Sequence, residues 1–257
     1  MGLLLTHARV VTSLVIREMN TRYGNKIGGY LWAIADPLAY IAFLTLIRGS
    51  LSATPPLGRS VPLFISTGYL GFLFYVNLSS YISSAVKSNR ALLSYPRVSP
   101  FDAVVSRLVL QFSTTAVVTA LTLFILATEL GGFPSVDWPI IIEAAFATSM
   151  IAAGIGLLNA GLFVRWPWYE KVFGILNRPL FFLSGVFMLP DELSHPFSDY
   201  FLLNPLVHCV IWFRTGFYPE YRAYGLDKAF VLETAFVLVF LGILLFTLNS
   251  KIIKNEI

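Results

Sequence analysis

Long apolar runs alternate along this chain with short polar and basic stretches. A helix that crosses a bilayer needs about 20 mostly apolar residues. Five segments meet that length, at 29–47, 61–86, 108–128, 140–164 and 229–250. A sixth region, 172–190, is different: Arg178 and Pro179 interrupt it, leaving only Leu180 to Leu189 as a clean apolar run. Another short run, Tyr200 to Phe213, is broken by Asn204-Pro205. Irregular backbone at membrane depth survives only where protein or a wet cavity covers it. The pattern therefore predicts one full fifth span followed by re-entrant helices, with two further ordinary spans as the alternative.

Ahead of the first run, Leu4, Ala8, Val11, Val15 and Met19 recur at helical spacing, while Thr12, Ser13, Arg17, Glu18 and Asn20 occupy other faces. This predicts an amphipathic helix that lies in the headgroup layer with its arginines toward phosphates, or packs on a partner domain. The glycine-rich stretch Gly24 to Gly29 reads as a hinge into the first span.

Composition fixes the class. Apolar residues make up 56% of the chain and charged residues only 12%, about half the charged share of a soluble domain. Lipid must solvate much of the surface. The lone cysteine, Cys209, excludes a disulfide scaffold. Of the 18 Lys and Arg residues, 13 precede the first run, separate the second from the third or the fourth from the fifth, or follow the last. The positive-inside rule then places both termini in the cytoplasm, which demands an even number of spans. The expected fold is an all-α integral membrane protein with six transmembrane helices, N-in/C-in. Residues 1–27 form a cytoplasmic interface helix, 28–250 a single membrane domain and 251–257 a cytoplasmic tail.

Catalytic chemistry has little support. No Gly-x-x-x-x-Gly-Lys-Ser/Thr phosphate loop occurs. His7, His195 and His208 are scattered, without metal-ligand spacing around Cys209. Ionisable residues inside apolar spans are better pointers, since each is costly there; these are Asp36, Glu143, Arg178 and Glu233. Asp36 and Arg178 either pair with each other or serve a substrate. Aromatics form 15% of the chain. Trp138 and Trp212 fall where an interfacial belt is expected. Tyr30, Trp32, Tyr40, Phe72, Phe74, Tyr75, Trp166 and Trp168 lie inside spans or at the cytoplasmic mouth. Aromatic faces stack on sugar C–H faces, and Arg17, Arg22 and Lys171 would attract an anionic headgroup beside them. Ala153, Gly156 and Ala160 predict close helix packing. Between the second and third spans, Ser88 to Tyr95 predicts a short helix with Ser88 as N-cap and Pro96 as its end. Ala91, Leu92 and Tyr95 would share a face that docks on a partner.

Taken together, these segments resemble the membrane subunit of ABC-2 type exporters, in the capsular polysaccharide branch. Arg17-Glu18, Arg22-Tyr23, Gly28 to Trp32 and Pro37 are similar to that family's entry into its first span. Asn89 to Leu93, Pro96 and Pro100-Phe101-Asp102 resemble its cytoplasmic turn. Arg178 to Phe187 resembles its fifth span, and Asn204 to His208 with Phe213-Arg214, Gly216 and Pro219 its re-entrant segment. The resemblance implies a homodimer joined to two copies of a separate ATPase, which binds ATP and Mg; this chain holds no cofactor or metal. It implies a bacterial inner-membrane location, a periplasmic co-polymerase and an outer-membrane export protein as partners, and a lipid-linked acidic polysaccharide as cargo, with no nucleic acid. An O-antigen or teichoic acid exporter is the nearest alternative, ahead of a membrane glycosyltransferase or a secondary transporter. On this reading Arg17, Arg22, Tyr30, Trp32, Trp166, Trp168, Lys171 and Arg178 belong to the substrate path. Asn89, Arg90, Ala91, Leu92, Leu93 and Tyr95 belong to the ATPase contact.

Overall fold

The computed structural model describes residues 2–24, 28–51, 54–93, 98–129, 132 and 136–249. The amphipathic segment forms α1 (Gly2–Met19), which runs on into a wider turn at Asn20–Gly24. Four long helices follow the predicted apolar runs: α2 (Gly29–Leu51), α3 (Val61–Ser83), α6 (Pro100–Glu129) and α7 (Trp138–Arg165). Two short helices, α4 (Ala85–Ser88) and α5 (Arg90–Leu93), connect α3 to α6. After α7 come α8 (Pro167–Leu180), α9 (Phe197–Leu202), α10 (Pro205–Thr215) and the long α11 (Lys228–Leu248). Among the described residues, five helices, α2, α3, α6, α7 and α11, are long and apolar enough to cross a membrane.

Side chains at the helix starts satisfy the first amides. Ser60 accepts from the Leu63 amide, Asp137 from Ile140 and Asp227 from Phe230. Each fills one of the donors that a helix start leaves open.

The centre of the bundle is α7, packed against α11 and α3. Of the small residues expected on α7, Gly156 is there for this reason, since a Cβ on it would come within 2.6 Å of Ile82. Gly154, not among those expected, serves the same end, since its Cβ would come within 2.6 Å of the Leu238 backbone. Lipid tails are as apolar as the helices, so association rests on close packing, which small residues permit. The sharing of burial is uneven: 72% of the apolar window of α3 is buried, against 17% for α2 and 22% for α11. Both flanking helices therefore keep broad apolar faces open to lipid or to a partner.

Three expectations change. The third run was read as 108–128, but α6 begins at Pro100, because Asp102, Ser106 and Arg107 are buried by protein rather than left in a loop. The region expected as a full fifth span is a 14-residue amphipathic helix, α8, about 21 Å long at 1.5 Å per residue. It ends in a single turn at Phe182–Ser184, after which Gly185 takes a left-handed φ of 78°. Trp212, expected in an interfacial belt, is buried with the Lys228 ammonium 4.6 Å above its ring.

The chain after α8 is held by two arginines. Arg214, fully buried on α10, donates to the carbonyls of Gly185 (2.6 Å) and Val186 (2.7 Å) and sits 4.1 Å over the Phe64 ring. Arg48, near the end of α2, donates to the Phe187 carbonyl. Carbonyls left free by the broken helix thus find donors, as buried backbone requires. Gly68 on α3 makes room, since a Cβ there would collide with the Arg214 guanidinium.

Candidate functional site

At the end of the bundle where α1 lies, a polar cluster joins four elements around Glu18. Glu18 is the only acidic residue among the first 27 and is 7% exposed. Its carboxylate accepts from Tyr81 on α3 (2.9 Å), from the Asn89 amide between α4 and α5 (2.9 Å), and from Nε and a terminal nitrogen of Arg107 on α6 (3.1 Å each). Arg107 also donates to the Tyr81 carbonyl (3.0 Å) and the Ser84 hydroxyl (2.8 Å), with its guanidinium 4.4 Å over the Tyr81 ring. Burial works against ionisation of Glu18. The Asn89 bond, the Arg107 charge and the bonds from Tyr81 and Arg107 outweigh it and hold the carboxyl below its ordinary value.

Arg17 and Arg22 belong to the same cluster. Arg17 donates to the Asn89 side-chain oxygen Oδ1 (2.6 Å), and Arg22 lies 4.7 Å over the Tyr81 ring and donates to Gln111. Near the start of α1, His7 meets Asp102 at 3.0 Å. The amphipathic helix is therefore bonded along α6 rather than only resting on a surface.

The expected coupling helix starts one residue later than the sequence pattern suggested. Asn89, not Ser88, begins it, because the Leu92 and Leu93 amides bond the Asn89 carbonyl (2.9 and 3.0 Å). Asn89 is buried, since its side chain also bonds the Ala85 carbonyl. Arg90 and Ala91 are exposed, while Leu92 and Leu93 are half-buried. Tyr95 lies outside the described residues. Beside this turn, Lys87 on α4 meets Glu170 on α8 at 2.6 Å, so the short helices also touch the helix that leads to Arg178.

The other path residues stand apart from the cluster. Trp32 at the start of α2, and Trp166 and Trp168 at the start of α8, are exposed, as is Lys171. Tyr30 lies on α2 with its side chain outside the described residues. Arg178 lines a cavity of about 450 Å³ between α2, α3 and α8, with Tyr40, Tyr69, Phe72, Asn177 and Phe181. The rings of Tyr40, Tyr69 and Phe181 touch edge to face or tilted at 4.9–6.1 Å. Tyr75, by contrast, is buried and donates to Asn177 (3.1 Å), which makes it a support for the wall. Of the two roles open to Asp36 and Arg178, pairing with each other is not seen; both residues are exposed. Glu143 instead lies 3.8 Å from Lys228 at the other end of the bundle.

In the sequence, Glu18 stands out only as the one acid of a basic segment, and Arg107 lies between two apolar runs where a loop charge is expected, so neither marks the other as a partner.

A bundle of long apolar helices, with an amphipathic helix bonded across one end and broken helices at the other, defines a helical integral membrane protein. The chain belongs to the ABC-2 type transporter family, whose model matches residues 9–218. Curated relatives cover nearly its whole length. It is 29% identical over 243 residues to the polysialic acid transport protein KpsM of Escherichia coli, spanning 94% of this chain and 93% of that protein. It is 26% identical over 255 residues to the capsule polysaccharide export inner-membrane protein CtrC of Neisseria meningitidis serogroup A, spanning 98% and 96%. The O-antigen export system permease protein RfbA of Klebsiella pneumoniae is 24% identical over 245 residues, spanning 90% and 88%.

Proposed function

We propose that this chain is the inner-membrane permease subunit of an ATP-driven exporter of capsular polysaccharide, powered by a separate ATPase that docks on α5. One observation carries the coupling. The exposed turn at Arg90 and Ala91 is fixed through Asn89 to α1, α3 and α6 at once. A push on this turn reaches two long membrane helices through hydrogen bonds to a single buried carboxylate. The cargo class follows the capsule-export relatives, which match end to end. O-antigen is the second reading, on the likeness to the Klebsiella protein.

In this reading ATP and Mg are held by the partner, and two copies of the permease meet along the open apolar face of α2. The path between them is entered past Tyr30, Trp32, Trp166, Trp168 and Lys171 and leads to the aromatic cavity where Arg178 faces the acidic, lipid-linked glycan. Arg17 and Arg22 hold the entrance helix in place. The broken helix α8 with its terminal turn counts as the fifth of six spans, α9 and α10 are re-entrant, and both termini are cytoplasmic. A periplasmic co-polymerase and an outer-membrane export protein complete the route.

The reading is tested by affinity purification of the full chain from its native host. An ATP-binding-cassette ATPase should co-elute, and deletion of the gene should trap polysaccharide inside the cell. Surface polysaccharide unchanged by the deletion would overturn it.

A further inference from the structure

A cavity of about 950 Å³, larger than the aromatic one beside α8, lies at the end of α3 remote from Glu18. Its walls come from residues 56–60, which lead into α3, from residues 217–224 between α10 and α11, and from Asp191. Its volume falls within the range of about 300–1,000 Å³ that small-ligand sites occupy.

The lining is neither a lipid-facing surface nor a plain polar loop. Tyr218, Tyr221 and Tyr224 share it with Arg59 and Arg222. Arg222 donates to the Tyr224 hydroxyl at 3.1 Å, which sets an aromatic face beside a guanidinium. Arg59 forms no ion pair among the described residues. The Tyr221 hydroxyl faces the Asp191 carboxylate and the Tyr218 hydroxyl faces Thr67 on α3, which fixes both rings in the wall. The carboxylates of Asp191 and Glu220 add acceptors to the same walls.

Backbone conformation shapes the cavity at two points. Ala223 adopts a φ of 46°, a left-handed conformation that alanine disfavours and that tends to mark functional segments. It stands between Arg222 and Tyr224, and both line the cavity. Gly58 has a φ of 70°, and a Cβ there would lie 2.7 Å from the Tyr218 ring. Glycine thus lets the loop close directly on the tyrosine.

We propose that this cavity binds a short segment of an acidic saccharide. The tyrosine faces would stack on sugar C–H surfaces. Arg59 and Arg222 would pair with the sugar carboxylates. The carboxylates of Asp191 and Glu220 would accept hydrogen bonds from sugar hydroxyls. The ligand class rests on the export reading; the site itself rests on the cavity. It gives the cargo a second contact, at the far end of the bundle from the helix that carries the energy input.

The test uses the full chain in lipid nanodiscs and saturation-transfer NMR on three probes: a sialic acid tetramer, tetragalacturonic acid and neutral maltotetraose. At least one acidic tetramer should receive saturation well above maltotetraose. Its signal should fall at least fivefold in Tyr224→Ala and in the double variant Arg59→Gln, Arg222→Gln, with unchanged melting temperatures. Equal signals from all three probes, no signal from either acidic tetramer, or a signal that survives the cavity variants would overturn the proposal. So would a cysteine at Glu220 that crosslinks in cells to a periplasmic protein and is not protected by any acidic tetramer, since the cavity would then be a protein interface. Export measured in the same cells keeps the two readings separate. Normal export without saturation transfer removes the cavity and leaves the permease assignment standing.

Discussion

Glu18 does the work of several residues, because one buried carboxylate accepts from three elements. Replacing it by alanine leaves Arg107, only 4% exposed, as an uncompensated buried charge, and breaking such a pair costs about 3–5 kcal/mol. The Glu18→Ala protein should therefore melt well below wild type in detergent, and Glu18→Gln, which keeps hydrogen bonds to Tyr81 and Arg107, should fall between them. Equal melting of all three would remove Glu18 from the centre of the cluster. The pH dependence has a definite sign. The folded carboxyl sits below its ordinary value of 4.5, so its contribution is present above 4.5 and is lost as pH falls through the lower folded value. Spin labels at Arg9 and Val109 in a His7→Gln background, which removes the His7–Asp102 contact between these helices, should report docked α1 from neutral pH to about 4.5. Separation should come only in stronger acid. Undocking already near neutral pH would contradict the hydrogen-bonded carboxylate.

At the scale of elements, α5 is the contact and α7 the frame. Leu92 is half-buried and lies one turn from Asn89. An aspartate there puts an unpartnered charge into the proposed docking face. Leu92→Asp should abolish co-elution of the ATPase while leaving the protein inserted and α1 docked. ATPase retained at wild-type yield would rule out α5 as the contact. A cysteine at Arg90, which is exposed, should crosslink to that ATPase. Within the frame, Gly154→Ala forces a Cβ against the Leu238 backbone at 2.6 Å, and overpacking of this kind typically costs about 1–3 kcal/mol. The melting temperature should drop, whereas Gly174→Ala, with nothing within 4 Å of its added Cβ, should leave it unchanged. An equal response at both sites would mean that α7 and α11 are not packed as described.

The whole molecule is asymmetric. One end is a dense polar cluster, and the other is a set of broken helices pinned by Arg48 and Arg214. Reporter fusions test the proposed arrangement of those ends: a fusion after Ile257 should be active only in the cytoplasm, and one inserted at Tyr224 only in the periplasm. Activity of both fusions on one side of the membrane would break the six-span count and the assignment of α8 as the fifth span.

Hydrophobic length and charge asymmetry determined by themselves that this is a helical membrane protein, where four of its helices begin to within two residues, and that an amphipathic helix precedes them. Those properties act locally: a residue's preference for lipid or water does not depend on which distant residue it meets. The small stripe on α7 was legible for the same reason, since bulk can be read residue by residue. Tertiary structure alone decided that Arg107 is buried and not a loop charge, that Asn89 rather than Ser88 starts α5, and that Asp36 and Arg178 do not pair. It also decided that Trp212 packs inside and that α8 stops after 14 residues. For the buried arginines, a polar group's place depends on partners far away in sequence, as with Arg107 and Glu18, 89 residues apart, or Arg214 and Gly185, 29 apart. Burial of a charge is tolerated only where those partners converge, and the linear pattern carries no record of that convergence.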